Sequence, residues 1–249
     1  MPRHDDSPRQ SRYLTALPVY NEASHVAGVL DEVLRHTPDV LVIDDGSTDG
    51  TSKVLAGCPG VRVVRHDRNR GYGAALATAF AETLAGDWAG LVTIDCDGQH
   101  QPRLIPEFIR TACDAEHAAT IVSGSRYLEQ PPADACVPSD RRRINEQVTA
   151  ELNSRLGFHL TDAFCGFKAY TREALQALRI SEPGYAMPLE VWVQGAAAGV
   201  TVVELPVPLI YLDEARSFGG ALDDAATRLD YYRCVLDQAE AAVAARNSE

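Results

Sequence analysis

Leu91-Val92-Thr93-Ile94-Asp95-Cys96-Asp97-Gly98-Gln99-His100-Gln101-Pro102 is a run that begins apolar and then breaks into acids, a glycine and a proline. Such a run reads as a buried strand, a turn and a helix starting near Pro102. Side chains at i and i+2 of an extended chain point the same way, so Asp95 and Asp97 converge at the strand's carboxyl end. The same grammar extends outward in both directions. Leu14 to Leu17 is a short apolar run, followed by Val26, Val29, Leu30, Val33 and Leu34 at helical spacing and by a second run, Val40 to Ile43. Then come Val61 to Val64, an Ala-rich helix from Ala74 to Leu84, the quoted run, a helix from Pro102, and Thr120 to Val122. Alternation of this kind predicts βαβ units and an α/β domain with a mostly parallel central sheet flanked by helices, with ligands at the strands' carboxyl ends.

Between Leu128 and Asp140 the pattern lapses into a Pro- and Ala-containing loop, read as an insertion, and a helix resumes from about Ile144 to Leu156. The expected organisation is a flexible tail over 1–12, one domain over 13–220 and an amphipathic helix over 221–249. That last helix carries Leu222, Ala225, Leu229, Tyr232, Leu236 and Val243 on one stripe, for packing on the domain or on a homodimer partner. The 249 residues carry a net charge of -12, which argues against a nucleic-acid surface and leaves any anionic ligand in need of a local cation. No stretch approaches the roughly 18 apolar residues of a membrane span, and the polar start lacks a signal-peptide run. A cytoplasmic protein, at most peripheral to a membrane, is expected. The six cysteines have no paired Cys-x-x-Cys spacing and are expected to be reduced and mostly buried.

Oxygen ligands at Asp95 and Asp97, with Gln99 offering another, suit a hard cation such as Mg²⁺ or Mn²⁺ that also binds phosphate oxygens; a capped turn is the alternative. His100 reads as structural. A second acidic turn, Asp44-Asp45-Gly46-Ser47-Thr48-Asp49-Gly50, ends the run from Val40. There one of Asp44 and Asp45 can meet a base or ribose while the other braces the turn, or both serve to cap the following helix. Gly71 and Gly73 let the backbone approach a nucleotide or simply admit a helix. Arg141, Arg142 and Arg143 stand where a helix dipole disfavours cations, so they answer either an anionic acceptor or solvent.

Pro18-Val19-Tyr20-Asn21-Glu22, the Asp44 to Gly50 turn, Arg70-Gly71-Tyr72-Gly73-Ala74, Asp95 to Pro102, Ser123-Gly124-Ser125-Arg126-Tyr127 and Asp162-Ala163-Phe164-Cys165-Gly166-Phe167-Lys168 follow one another in a distinctive order. This series resembles the family 2 glycosyltransferases, in particular the dolichol- and polyprenyl-phosphate sugar synthases, over roughly Leu14 to Leu212. The resemblance implies a single nucleotide-sugar-binding, glycosyltransferase A-type, Rossmann-like domain and inverting transfer from a UDP- or GDP-sugar. It also implies roles. Pro18, Tyr20, Glu22, Ile43 and Asp45 would hold the nucleoside, with Cys96 alongside by its backbone; Asp95, Asp97 and Gln99 would hold the metal; Arg126 would meet phosphates or sugar. Asp162 belongs to a motif near the acceptor, where it would take a proton from a hydroxyl or cap a turn. Glu190 resembles the acid on a helix behind the site, a place for structural hydrogen bonds.

The chain departs from that pattern after the strand Val202 to Leu209. Tyr211 to Gly220 keeps Arg216, a catalytic candidate, but has Phe218 where a Lys is expected and adds Asp213 and Glu214. A polyprenyl phosphate acceptor is the expectation from the resemblance, and a soluble hydroxyl acceptor is its rival. A nucleotidyltransferase would show a basic Gly-rich loop near its first strand, which Pro18 to Glu22 is not. A regulatory domain that binds a nucleotide sugar without turnover is the non-enzymatic alternative.

Overall fold

The structure, a computed structural model, describes residues 12–129, 139–210 and 220–246. Residues 1–11 of the expected 1–12 tail, the core of the 128–140 insertion and the segment holding Asp213, Glu214, Arg216 and Phe218 lie outside the described residues. In chain order the strands are β1 (Tyr13–Val19), β2 (Val40–Asp44), β3 (Val61–Arg65), β4 (Gly90–Thr93), β5 (Thr120–Ser125), β6 (Lys168–Thr171) and β7 (Thr201–Pro206). The helices are α1 (Val26–Leu34), α2 (Thr51–Leu55), α3 (Tyr72–Ala85), α4 (Ile105–Cys113), α5 (Ser139–Leu156), α6 (Arg172–Ala177), α7 (Met187–Ala197) and α8 (Ala225–Arg246).

The strands form one seven-stranded sheet in the order β3-β2-β1-β4-β6-β5-β7. Every pairing is parallel except those of β6, which runs antiparallel between β4 and β5. Period-2 alternation divides the core. On β1 and β2, Leu14, Ala16, Leu41 and Ile43 face α3, α5, α7 and α8, whereas Leu17, Val19, Val40 and Val42 face α1 and α4. Strands buried on both sides need apolar residues at every position, which is why they read as unbroken runs.

α5 starts at Ser139, five residues before the Ile144 from which the expected helix was counted. α8 lies on α5 and α7, with Tyr232 and Leu236 buried and Ala225, Leu229 and Val243 packed against the same core. Of the five described cysteines, Cys96 and Cys165 are buried while Cys113 and Cys234 are exposed, so the expectation of mostly buried thiols does not hold. No helix among the described residues is long and apolar enough to cross a membrane.

Candidate active site

A cavity of about 530 Å³ opens at the carboxyl ends of β1, β2, β4 and β5, where the strand order reverses. That is the expected ligand position in an open α/β sheet, and the volume suits a small-molecule ligand. Pro18, Tyr20, Glu22, Asp45, Asp95, Cys96, Asp97, Gln99 and Arg126 all line it. Two expected residues do not. Ile43 is fully buried: it lies two residues deeper along β2 than Asp45, under the cavity floor in the core with α3. Asp162 is also fully enclosed and stands behind Arg126.

The turn after β2 is held by its own side chains. Asp44 accepts from the Ser47 amide at 2.9 Å, from the Ser52 hydroxyl, and pairs with Arg65 at 3.3 Å. The Asn21 side chain accepts from the Thr48 amide at 2.8 Å, which ties the Pro18–Glu22 turn to this one. Asp45 reaches the cavity with its carboxylate already engaged by His66 Nδ1 at 2.6 Å and by the amides of Arg70 and Gly71 at 2.9 and 2.8 Å.

The turn after β4 differs. Asp95 and Asp97 face the cavity, and Cys96 between them also lines it while its side chain packs in the core with α1 and α4. The Tyr72 hydroxyl donates to Asp95 at 3.0 Å, and Gly166 leaves room for the carboxylate, since a Cβ there would meet Asp95 Oδ2 at 2.3 Å. His100 Nδ1 stands 3.2 Å from the Asp95 amide and 3.7 Å from its carboxylate, and the ring packs on Phe167, a structural placement. Burial pushes the Asp95 carboxyl up, and Asp97 adds to this against the pull of His100, Tyr72 and Lys168. A pair of hard oxygen donors facing one cavity is a fit place for a divalent cation. Among the described residues no third His, Cys, Asp or Glu joins the pair, so the remaining ligands would be Gln99, water and phosphate oxygens.

Beyond β5, Arg126 forms a fork with Asp162, with Nε at 2.7 Å and an Nη at 2.9 Å. Asn145 of α5 donates to the same carboxylate at 2.8 Å, as does the Phe164 amide at 3.1 Å. Burial opposes the charge on Asp162, but the Arg126 guanidinium and these donors hold its carboxyl far below the usual range. Glu204 of β7 accepts from the Thr161 and Asp162 amides and fixes the turn. Enclosed, strongly acidic and saturated, Asp162 does not meet the expectation of a base that takes a proton from an acceptor; it braces Arg126. Glu190 plays the structural part expected of it, accepting from the amides of Ser181 and Glu182 at 2.8 Å each. The three arginines at the start of α5 divide: Arg141 lines the cavity, and Arg142 and Arg143 face outward.

Sequence reasoning passed over several cavity residues. Tyr72 stood inside a quoted motif but only its flanking glycines drew notice. Tyr127, Asn145, Phe164, Tyr185, Arg228 and Tyr232 also line the wall. Arg228 is buried on the apolar face of α8, pairs with Asp140 at 2.9 Å and gives the Leu222 carbonyl a hydrogen bond at 2.8 Å. A charged residue breaking an otherwise apolar stripe was its available signal.

Comparison with known proteins agrees with this architecture. The chain is 31% identical over 227 residues to the undecaprenyl-phosphate mannosyltransferase of Micrococcus luteus, covering 86% of this chain and 90% of that one. It is 32% identical over 208 residues to the polyprenol monophosphomannose synthase of Mycolicibacterium smegmatis, covering 79% and 76%. Among solved structures, glucosyl-3-phosphoglycerate synthase from Mycobacterium tuberculosis in complex with UDP superposes with a TM-score of 0.70 at 21% identity, over 93% of this chain and 80% of that one. The same enzyme with Mn²⁺, UDP and phosphoglyceric acid gives a TM-score of 0.68, over 92% and 78%. At that identity the likeness speaks for the fold. Residues 15–179 match glycosyl transferase family 2, and with them nearly the whole cavity floor, so the chain belongs to that family of glycosyltransferases.

Proposed function

We propose that the protein moves a sugar, with inversion, from a UDP- or GDP-sugar to a polyprenyl phosphate, with Mg²⁺ or Mn²⁺ on the donor diphosphate. Pro18, Tyr20, Glu22 and Asp45 take the nucleoside, and Asp95, Asp97 and Gln99 take the cation. A bound cation there offsets the charge that builds on the departing diphosphate. Arg126, its fork half-occupied and aimed by Asp162, offers its remaining donors to phosphate oxygens.

The observation that carries the acceptor is the make-up of the far wall. Its described lining residues include Arg126, Arg141 and Arg228 beside Ile144, Phe164, Pro188 and Tyr232, with no carboxylate and no imidazole. A hydroxyl acceptor must lose a proton as it attacks and needs a base nearby. A phosphate monoester arrives already anionic, and guanidinium groups, two of them braced by Asp162 and Asp140, beside apolar surface suit a phosphate carrying a hydrocarbon tail. Relatives named for undecaprenyl phosphate and polyprenol support the same choice.

The test is transfer of labelled sugar from UDP- and GDP-sugars, with and without Mn²⁺, to a short-chain polyprenyl phosphate and to soluble sugars and phosphoglycerate. Product with the polyprenyl phosphate alone is expected. Transfer only to a hydroxyl would overturn the acceptor, and tight donor binding with no transfer to any of them would favour a regulatory binding domain.

A further inference from the structure

Tyr72 opens α3, and the turn that delivers it is clamped. Gly71 and Gly73 on either side lie against the backbone of the 182–184 segment, where a Cβ would stand 2.3 Å from the Pro183 carbonyl oxygen and 2.1 Å from that of Glu182. The Ala74 amide donates to the same Pro183 carbonyl at 3.2 Å, and the Gly71 amide is held by Asp45. The Tyr72 ring stacks on Tyr185 at 5.7 Å between centroids. Backbone and ring are thus fixed before any ligand arrives, and the hydroxyl reaches Asp95 Oδ1 at 3.0 Å.

We propose that Tyr72 is a positioning residue for the cation site: its hydroxyl bonds Asp95 Oδ1 and fixes the orientation in which that carboxylate meets a divalent ion beside Asp97. The inference rests on the cation reading above and extends it to a group that contacts the ligand rather than the ion. Gly166 closes the other side of the carboxylate, leaving it little freedom to swing away.

Calorimetry of UDP and GDP with wild type and Tyr72→Phe, each in EDTA and in Mn²⁺, tests it. The phenyl ring keeps the stack on Tyr185, so affinity in EDTA is expected to stay within about twofold, while the gain in affinity that Mn²⁺ brings falls by about tenfold, the usual cost of losing a partner of a metal ligand. A wild-type gain left intact in Tyr72→Phe would overturn the role of Tyr72 alone. Equal losses in EDTA and in Mn²⁺ would also overturn it, by showing a general part in the pocket. If wild type gains nothing from Mn²⁺ or Mg²⁺, the cation reading falls and this inference with it.

Discussion

The turn after β2 and the turn after β4 both place acids at the carboxyl end of a parallel strand, yet the fold treats them in opposite ways. Asp44 and Asp45 are supplied with donors from their own turn, from His66 and Arg65, and from the amides of Arg70 and Gly71. Asp95 has a neighbouring acid and a burial that opposes its charge more than the Tyr72 hydroxyl, His100 and Lys168 offset it. One turn is satisfied by the protein itself; on the proposed cation reading the other takes its remaining partner from a ligand. Buried carboxylates stabilise a fold when their hydrogen bonds are made and cost it when they are not, so the two turns divide the labour between shape and chemistry.

Asp162 lies at the far end of the complete class, and breaking it has the largest expected effect. Asp162→Asn leaves the Arg126 guanidinium without its counter-charge and should destabilise the protein by about 3–5 kcal/mol, as removal of one partner of a buried pair does. The pH dependence follows from the depressed folded-state carboxyl. Its contribution is fully present above the unfolded value, about 4, and is lost as pH falls below it toward the folded value. Urea unfolding of both proteins should therefore show a difference that is flat from pH 8 to about pH 5 and shrinks below about pH 4. A difference that holds constant down to about pH 2 would mean that Asp162 is not held as an ion.

Asp45→Asn sharpens the comparison at a smaller scale. The new amide can accept at one oxygen only, and its NH₂ meets donors from His66 or the 70–71 backbone. A loss of about 2 kcal/mol in stability is expected, with nucleotide affinity weakened by about 1–3 kcal/mol if the carboxylate also serves the ligand. Calorimetry giving unchanged UDP and GDP affinity alongside a lowered melting temperature would confine Asp45 to bracing the turn.

How much of this could be read from the chain depends on the range of the interactions. Asp95 and Asp97 were legible because alternation along one strand puts i and i+2 on one side, a rule that needs no partner. Ile43 was misplaced because matching a motif says nothing of depth along the strand, and the next residue but one, Asp45, is the first to clear the cavity floor. For Asp162 the sequence left a base and a turn cap open, since its partner Arg126 is 36 residues away and only the tertiary fold brings them together. β6 escaped notice because Lys-Ala-Tyr-Thr has no apolar run; its four residues are stabilised by pairing on both edges with β4 and β5. The buried face of α7 extends right round the helix, leaving no amphipathic period to detect.

Asp95→Asn carries the smallest effect and the most telling sign. In the turn after β2 replacing an acid should cost stability; here it should add to it. The substitution removes a charge that burial and Asp97 both oppose, keeps an oxygen to accept from the Tyr72 hydroxyl at the same place, and changes the side-chain volume little against Gly166. In EDTA the variant should melt higher than wild type by about 2–4 °C, the shift that about 1 kcal/mol brings in a chain of this length. Adding Mn²⁺ with UDP or GDP should reverse the order, because wild type gains from binding what the variant cannot. On the proposed cation reading the site is less stable empty than it could be, and the gain on neutralising one acid measures that cost. If Asp95→Asn melts lower than wild type in EDTA, as Asp45→Asn is expected to, then Asp95 is satisfied by the protein itself and the contrast between the two turns fails.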